Sequence, residues 1–243
     1  MRDYKAEFEG RVAFIRELLA SSGAKGIVFG NSGGKDSALV GILCKAACEN
    51  TVGVIMPCSS KRNYGEDMDD GNSVAAQFGI ETRVVDLTAQ KELAVETIGK
   101  TAKLTDSAIS NIAPRLRMLT LYTIAAGEGR LVAGTGNRSE YYMGYFTKWG
   151  DGAYDFNPII DLTATEVFEF LAYLNAPENI IKKAPSAGLY ERQTDEADMG
   201  VTYKAIDTYI LTGEASERDR AIIDRYHAAS EHKRTGAAVY KKV

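Results

Sequence analysis

Apolar positions along this chain keep two rhythms in turn, one helical and one of short unbroken runs. Phe8, Val12, Ile15 and Leu18 or Leu19 fall at helical spacing and predict an amphipathic helix over Tyr4 to Ala20. Ile27 to Phe29 is a short apolar run of the kind a buried parallel strand needs. A helix is expected over Ala38 to Cys48, capped by Asp36 or Ser37. Thr51 to Met56 reads as a second strand closed by Pro57, and Asp67 to Phe78 as a helix whose Asp67, Asp69 and Asp70 form a solvated starting face. Arg83 to Asp86 is a third strand, followed by a helix over Leu87 to Gly99. A longer helix covers Asn111 to Ala126, with Pro114 in its first turn, Arg115 and Arg117 on different faces, and Gly127 and Gly129 as stops. Arg130 to Gly134 is a fourth strand.

Beyond it the pattern is helical wherever it is regular. Leu162 to Asn175 carries Val167, Phe170, Leu171 and Leu174 on one face, with Thr163 and Glu166 as a capping box. Pro177 opens a short helix through Ile181, and Tyr203 to Leu211 and Glu217 to Glu231 are two more. Lys182 to Gly200 is polar and long for a loop, a length used for lids or disordered segments. Strands alternating with helices predict an α/β fold with a doubly wound, mostly parallel sheet flanked by helices. No repeat, low-complexity tract or linker interrupts the pattern, so residues 1–243 are read as one domain.

Composition narrows the classes. The chain has 243 residues, 45% hydrophobic and 26% charged, enough for a full core. A net charge of −4 argues against a nucleic-acid partner with a broad footprint. Cys44, Cys48 and Cys58 are odd in number, and Cys44 and Cys48 stand one helical turn apart as small hydrophobes. The charged start, Met1 to Lys5, precedes no apolar signal region, and no uncharged run approaches the roughly 18 residues of a membrane helix. A reducing cytoplasm and no membrane are expected.

The candidate chemistry starts at Gly30-Asn31-Ser32-Gly33-Gly34-Lys35-Asp36-Ser37. Strand, glycine-rich turn and helix present backbone N–H groups and the positive end of a helix to an anion. A P-loop needs four residues between its glycines and Ser or Thr after the lysine; here there are three, and Asp36 follows Lys35. A nucleophile elbow fits Gly30 to Gly34 with Ser32 as nucleophile, but only one helix precedes the strand, so its oxyanion loop is missing. S-G-G-x-D-S fits Ser32 to Ser37 at every fixed position and resembles the pyrophosphate loop of AMP-forming ATP pyrophosphatases.

The fourth strand runs into a second such turn, Gly134-Thr135-Gly136-Asn137-Arg138-Ser139-Glu140. Two turns at the carboxyl edge of one sheet could grip one ligand from opposite sides. Asp36 and Glu140 are then candidates to share a Mg²⁺ with phosphate oxygens, against a plainer reading as helix-start acids. Gly144 to Asp155, with Tyr145, Phe146, Lys148 and Trp149, follows neither period and reads as binding surface. Lys148 could meet a phosphate or carboxylate and Asp155 a ribose hydroxyl; sequence physics alone does not choose. Glu231-His232-Lys233-Arg234 reads on composition as a charged tail.

Together these segments, with Lys183 to Leu189 and Gln193 to Glu196, resemble the ammonia-dependent NAD⁺ synthetases, in that family's order over residues 30 to 234. The resemblance implies an adenine nucleotide alpha hydrolase-like fold and ATP-dependent amidation of deamido-NAD⁺ by ammonia through an NAD-adenylate. It implies ATP contacts at Gly30, Asn31, Ser32, Gly33, Gly34, Lys35, Asp36, Ser37, Thr135 and Ser186, and Mg²⁺ held by Asp36 and Glu140 as the catalytic carboxylates. Arg115, Lys148, Asp155, His232 and Lys233 match positions contacting deamido-NAD⁺, in a site that lies across a homodimer interface in that family. One position departs: Ala164 stands where the family usually has a lysine that contacts ATP, and Lys35, Lys182 or Lys183 are the candidates to replace it. Relatives that use glutamine carry an amidase domain, for which one helix before the first strand leaves no room, so ammonia is the expected nitrogen source. The rivals are a tRNA-thiolating pyrophosphatase, disfavoured by the cysteine placement and acidic charge, and a nucleotide-binding module without chemistry.

Overall fold

The computed structural model describes residues 2–59, 64–183 and 194–240. Its elements run α1 (Tyr4–Ser22), β1 (Gly26–Gly30), α2 (Lys35–Ala47), β2 (Thr51–Ile55), α3 (Glu66–Phe78), β3 (Glu81–Val84), α4 (Thr88–Gly99), α5 (Asp106–Ser110), α6 (Ile112–Glu128) and β4 (Arg130–Ala133). Then follow α7 (Arg138–Met143), α8 (Ala164–Tyr173), α9 (Glu178–Lys182), α10 (Asp195–Met199), α11 (Tyr203–Thr212), α12 (Glu217–Ala229) and α13 (Glu231–Arg234). The strands lie in the order β3-β2-β1-β4, and every pairing among them is parallel. The chain winds one way through β1, β2 and β3, then returns to place β4 on the other side of β1, so the strand order reverses between β1 and β4. That is the switch point at which open α/β sheets bind ligands.

Strand alternation splits the core in two. Ile27 and Phe29 of β1 pack with α1, α2 and α8, while Val28 joins Val52, Val54 and Val132 beneath α6. A third cluster, with Met143, Tyr203, Ile206 and Ile223, fastens the late helices to α7 and α8. The expected capping box of α8 is present: Thr163 Oγ1 accepts from Glu166 N at 3.3 Å, and Glu166 Oε2 from Thr163 N at 2.8 Å. Among the described residues no helix is long and apolar enough to cross a membrane.

Several expectations shift. β3 starts two residues earlier than predicted, at Glu81 rather than Arg83. It is an edge strand with no fully buried residue, so its apolar pattern is weak. α6 runs through Gly127 and ends at Gly129 in the left-handed region. Helix α10 falls in the stretch read as a loop, and α5 in a stretch with no expected element. Asp67 and Asp70 are not a solvated face: their side chains are 12% and 10% exposed and both pair with Lys183. Cys44 and Cys58 are buried and Cys48 partly so. Burial pushes the Cys44 and Cys58 thiols up, away from reactivity.

Candidate active site

The two glycine-rich turns leave the sheet side by side, since Phe29 of β1 pairs with Ala133 of β4. In the first, α2 begins at Lys35 with Gly34 as N-cap, two residues before Asp36 and three before Ser37, the expected caps, and no side chain caps the helix. Ser37 instead donates from Oγ to Gly34 O at 3.0 Å and meets Ser32 Oγ at 3.0 Å. Asp36 is likewise drawn away, toward the second turn. A helix start without a side-chain acceptor keeps its N–H groups for an anion. Gly33 has φ 71°, and a Cβ there would overlap the Asp67 carbonyl, so only glycine fits.

In the second turn Gly134 lies against the Tyr154 ring, where a Cβ has no room. Asn137 then caps α7 through a reciprocal box, accepting from Glu140 N at 3.0 Å while its own N–H donates to Glu140 Oε2 at 3.0 Å. Glu140 is therefore a helix-start acid, as the plainer reading had it, and also a site acid. The reason is Asn137, which is fully buried and donates from Nδ2 to Asp36 Oδ1 at 3.0 Å. One asparagine thus ties both turns and both carboxylates together. Sequence reasoning quoted Asn137 within its motif and gave it no role; its place as N-cap three residues before a glutamate was the available signal.

Electrostatics concentrate here. The Lys35 ammonium is buried and pairs with Asp36, lying 5.6 Å from the Phe168 ring centre and 5.5 Å from that of Tyr203. Burial opposes its charge, yet Asp36, Glu140 and Asp195 hold its pKa above the ordinary lysine value. Burial, then the Asp36 charge, drive the Glu140 carboxyl well above the usual range against the pull of Lys35. Asp195, missed in the sequence as a site residue, is buried and accepts from Tyr203 Oη at 3.0 Å. A carboxyl raised by burial and by a neighbouring carboxylate is the environment a hard divalent cation relieves. Among the described residues no three metal-ligating side chains gather closely enough to hold an ion alone, so phosphate oxygens would complete the shell.

The turns open on a cavity of about 800 Å³, lined also by Met56 and Pro57 after β2 and by Arg117, Met118 and Leu121 of α6. Of the sequence-predicted residues, Gly30, Asn31, Ser32, Gly34, Lys35, Asp36, Ser37, Thr135, Glu140 and Lys233 line it; Gly33 supports the turn from behind. Ser186 falls outside the described residues. Arg117 and Asp151 line it too and had no assigned role: Arg117 Nε donates to Met56 O at 3.2 Å, and Asp151 Oδ1 accepts from Thr147 N at 2.9 Å. A separate open depression of about 440 Å³ near Arg11 and Asp161 holds none of the predicted residues.

At the far end, Arg115 Nη2 donates to Lys148 O at 3.3 Å, and Lys148 Nζ donates to His232 O. Lys233 Nζ donates to Gly144 O at 2.7 Å and Phe146 O at 2.6 Å. The expected charged tail is therefore a short helix seated on the 144–146 segment. Arg115, Lys148 and His232 are joined to one another at the rim but do not line the cavity. Asp155 does not line it either: it accepts from Val132 N at 2.8 Å and Tyr122 Oη at 3.2 Å, pinning the segment beside β4. Ala164 is buried, with its N–H donated to Ser139 Oγ at 3.0 Å. Of the three lysines that could replace one there, Lys182 is exposed beside Glu178, Lys183 is held by Asp67 and Asp70, and Lys35 sits among the site acids.

The family profile described as NAD synthase matches residues 7–242. An NH(3)-dependent NAD(+) synthetase from Carboxydothermus hydrogenoformans is 46% identical over 96% of this chain and 96% of its own. Among solved structures, an NMN synthetase from Francisella tularensis covers 100% of both chains at 36% identity with a TM-score of 0.94. An NH3-dependent NAD synthetase from Campylobacter jejuni covers 99% of this chain and 100% of its own at 30% identity with a TM-score of 0.82.

Proposed function

We propose the reaction from one premise: the chain belongs to the NAD synthase family. It is a ligase that amidates deamido-NAD⁺ with ammonia at the expense of ATP, giving NAD⁺. An oxygen of the nicotinate carboxylate attacks the α-phosphorus of ATP, and the bond to the β-phosphate breaks to release pyrophosphate. Ammonia attacks the carbonyl carbon of the resulting adenylate, loses a proton, and AMP departs. Backbone donors of the Gly30–Ser37 turn hold the departing pyrophosphate, Thr135 and Ser186 contact the nucleotide, and Lys35 supplies the cation that Ala164 does not. Asp36 and Glu140 would hold Mg²⁺, which when bound neutralises phosphate charge. The protein's share is positioning and charge stabilisation. The observation that carries this reading is Asn137 joining Asp36 and Glu140 at neighbouring strand ends.

Arg115, Lys148, Asp155, His232 and Lys233 bind deamido-NAD⁺, in a site completed by a second copy of the chain. The exposed rim supports this, as do Leu93, Ile98 and Leu119, which are 63%, 44% and 59% exposed on α4 and α6. Free cysteines suit a reducing cytoplasm. Purified protein given ATP, Mg²⁺, deamido-NAD⁺ and ammonium is expected to form NAD⁺, AMP and pyrophosphate in equal amounts. ATP cleavage that ignores deamido-NAD⁺ overturns the reading.

A second reading has one observation behind it: the TM-score is higher for the protein named for making NMN than for the Campylobacter NAD synthetase. The same amidation could then take the mononucleotide acid. Comparing kcat/KM for the mononucleotide and dinucleotide acids decides between them.

A further inference from the structure

One buried ion cluster has no part in the chemistry above. Lys183, directly after Glu178–Lys182, sends its ammonium between Asp67 and Asp70 of the Glu66–Phe78 helix and donates to Gly33 O at 3.4 Å. The three side chains are 10%, 12% and 10% exposed. Asn179 donates to the other oxygen of Asp70 at 2.5 Å. The same helix meets the first turn twice more: Asn31 Nδ2 donates to Gly71 O at 3.0 Å, and Gly33 rests on the Asp67 carbonyl.

Lys183 borders the cavity, so a direct role as a phosphate cation is the obvious alternative. Its bonding argues otherwise. An ammonium has three donors, and here three acceptors take them: Asp67, Asp70 and the Gly33 carbonyl. Two carboxylates also outweigh its charge. The Gly33 bond has a directional consequence. A trans peptide points its C=O and N–H opposite ways, so holding the Gly33 carbonyl on Lys183 aims the Gly34 N–H away from it, toward Ser32 Oγ at 3.3 Å, and both Ser32 and Gly34 line the cavity.

We propose that Lys183 is a positioning residue: braced by Asp67 and Asp70, it orients the Gly33–Gly34 peptide so that the turn presents its amide to the phosphates of ATP. This rests on the ATP-binding reading above. The test is equilibrium binding of ATP with Mg²⁺ alongside steady-state KM and kcat, in folded variants checked by circular dichroism. Lys183→Met is expected to weaken ATP binding about tenfold, the scale of one hydrogen bond to a charged group, with kcat changed less than threefold. Lys183→Arg is expected to recover most of that loss. In an Asp67→Asn/Asp70→Asn background, Lys183→Met should cost less than about twofold, because the brace is already gone. A Lys183→Met penalty that is equal or larger in that background shows direct phosphate contact and overturns the proposal, as does unchanged ATP binding in Lys183→Met. Asp70→Asn alone, nearly isosteric, repeats the comparison if the double substitution does not fold. Wild-type protein that fails to bind ATP sinks the functional reading instead.

Discussion

At one end of the cavity Lys35, Asp36, Asn137 and Glu140 hold one another through side chains; at the other, Arg115, Lys148 and Lys233 are held by backbone carbonyls of neighbouring segments. The first group is buried, and its charges are set by one another. The second is less enclosed, and its Lys148 and Lys233 ammoniums turn onto the carbonyls of His232, Gly144 and Phe146. The two lysines show the difference: neighbouring acids raise the pKa of Lys35, whereas burial, helped by Arg234 and opposed by Asp151, lowers that of Lys233. A nucleotide triphosphate can be met by a pre-arranged cluster inside one chain.

The largest expected effect lies at the first end. Asp36→Asn removes the charge shared with Lys35 and should lower kcat by roughly 10²–10³-fold, as loss of one transition-state stabiliser does. ATP affinity should fall much less; comparable losses in both would mean that Asp36 only builds the turn. Next, Gly33→Ala forces a Cβ into the Asp67 carbonyl at positive φ. Backbone strain of about 1–3 kcal/mol should appear as a roughly tenfold or greater rise in ATP KM, with the deamido-NAD⁺ KM unchanged. Lys148→Met tests the other end and should raise the deamido-NAD⁺ KM by about tenfold, one charged contact, leaving the ATP KM alone. An equal rise in both would erase the division between the two ends.

The smallest effect is in pH. Lys233 has a lowered pKa, so it is cationic below it and sheds its charge earlier than an ordinary lysine as pH rises. The deamido-NAD⁺ KM should therefore climb a few-fold on the alkaline side, and Lys233→Arg should flatten that limb, because arginine stays charged. Lys35, with a raised pKa, keeps its charge over the same range, so the ATP KM should stay level. A climb in both would show that the ends titrate together.

Much of the cluster at the two glycine-rich turns was legible in sequence because its parts are contiguous. Ser32 to Ser37 and Gly134 to Glu140 each follow a strand, and a turn's chemistry is written in adjacent residues. The capping box of α8 was legible for the same reason. Edge strand β3 was misplaced because an exposed edge lacks an apolar signature. Asp67 and Asp70 were misread because helical periodicity says which residues share a face and nothing about what faces them. Lys183, more than a hundred positions away, makes that face an interior one.

Sequence alone determined the alternation of strands and helices and the two glycine-rich turns, and it made Asp36 and Glu140 candidates, all consequences of local spacing and backbone freedom. Tertiary structure decided the rest: that β4 returns beside β1, that Asn137 reaches across to Asp36, that Lys35 lies among three acids while Lys182 faces solvent, and that the last helix covers the 144–146 segment. Each of these depends on contacts between residues far apart in the chain, and their energies come from burial and charge pairing that exist only once the layers have packed.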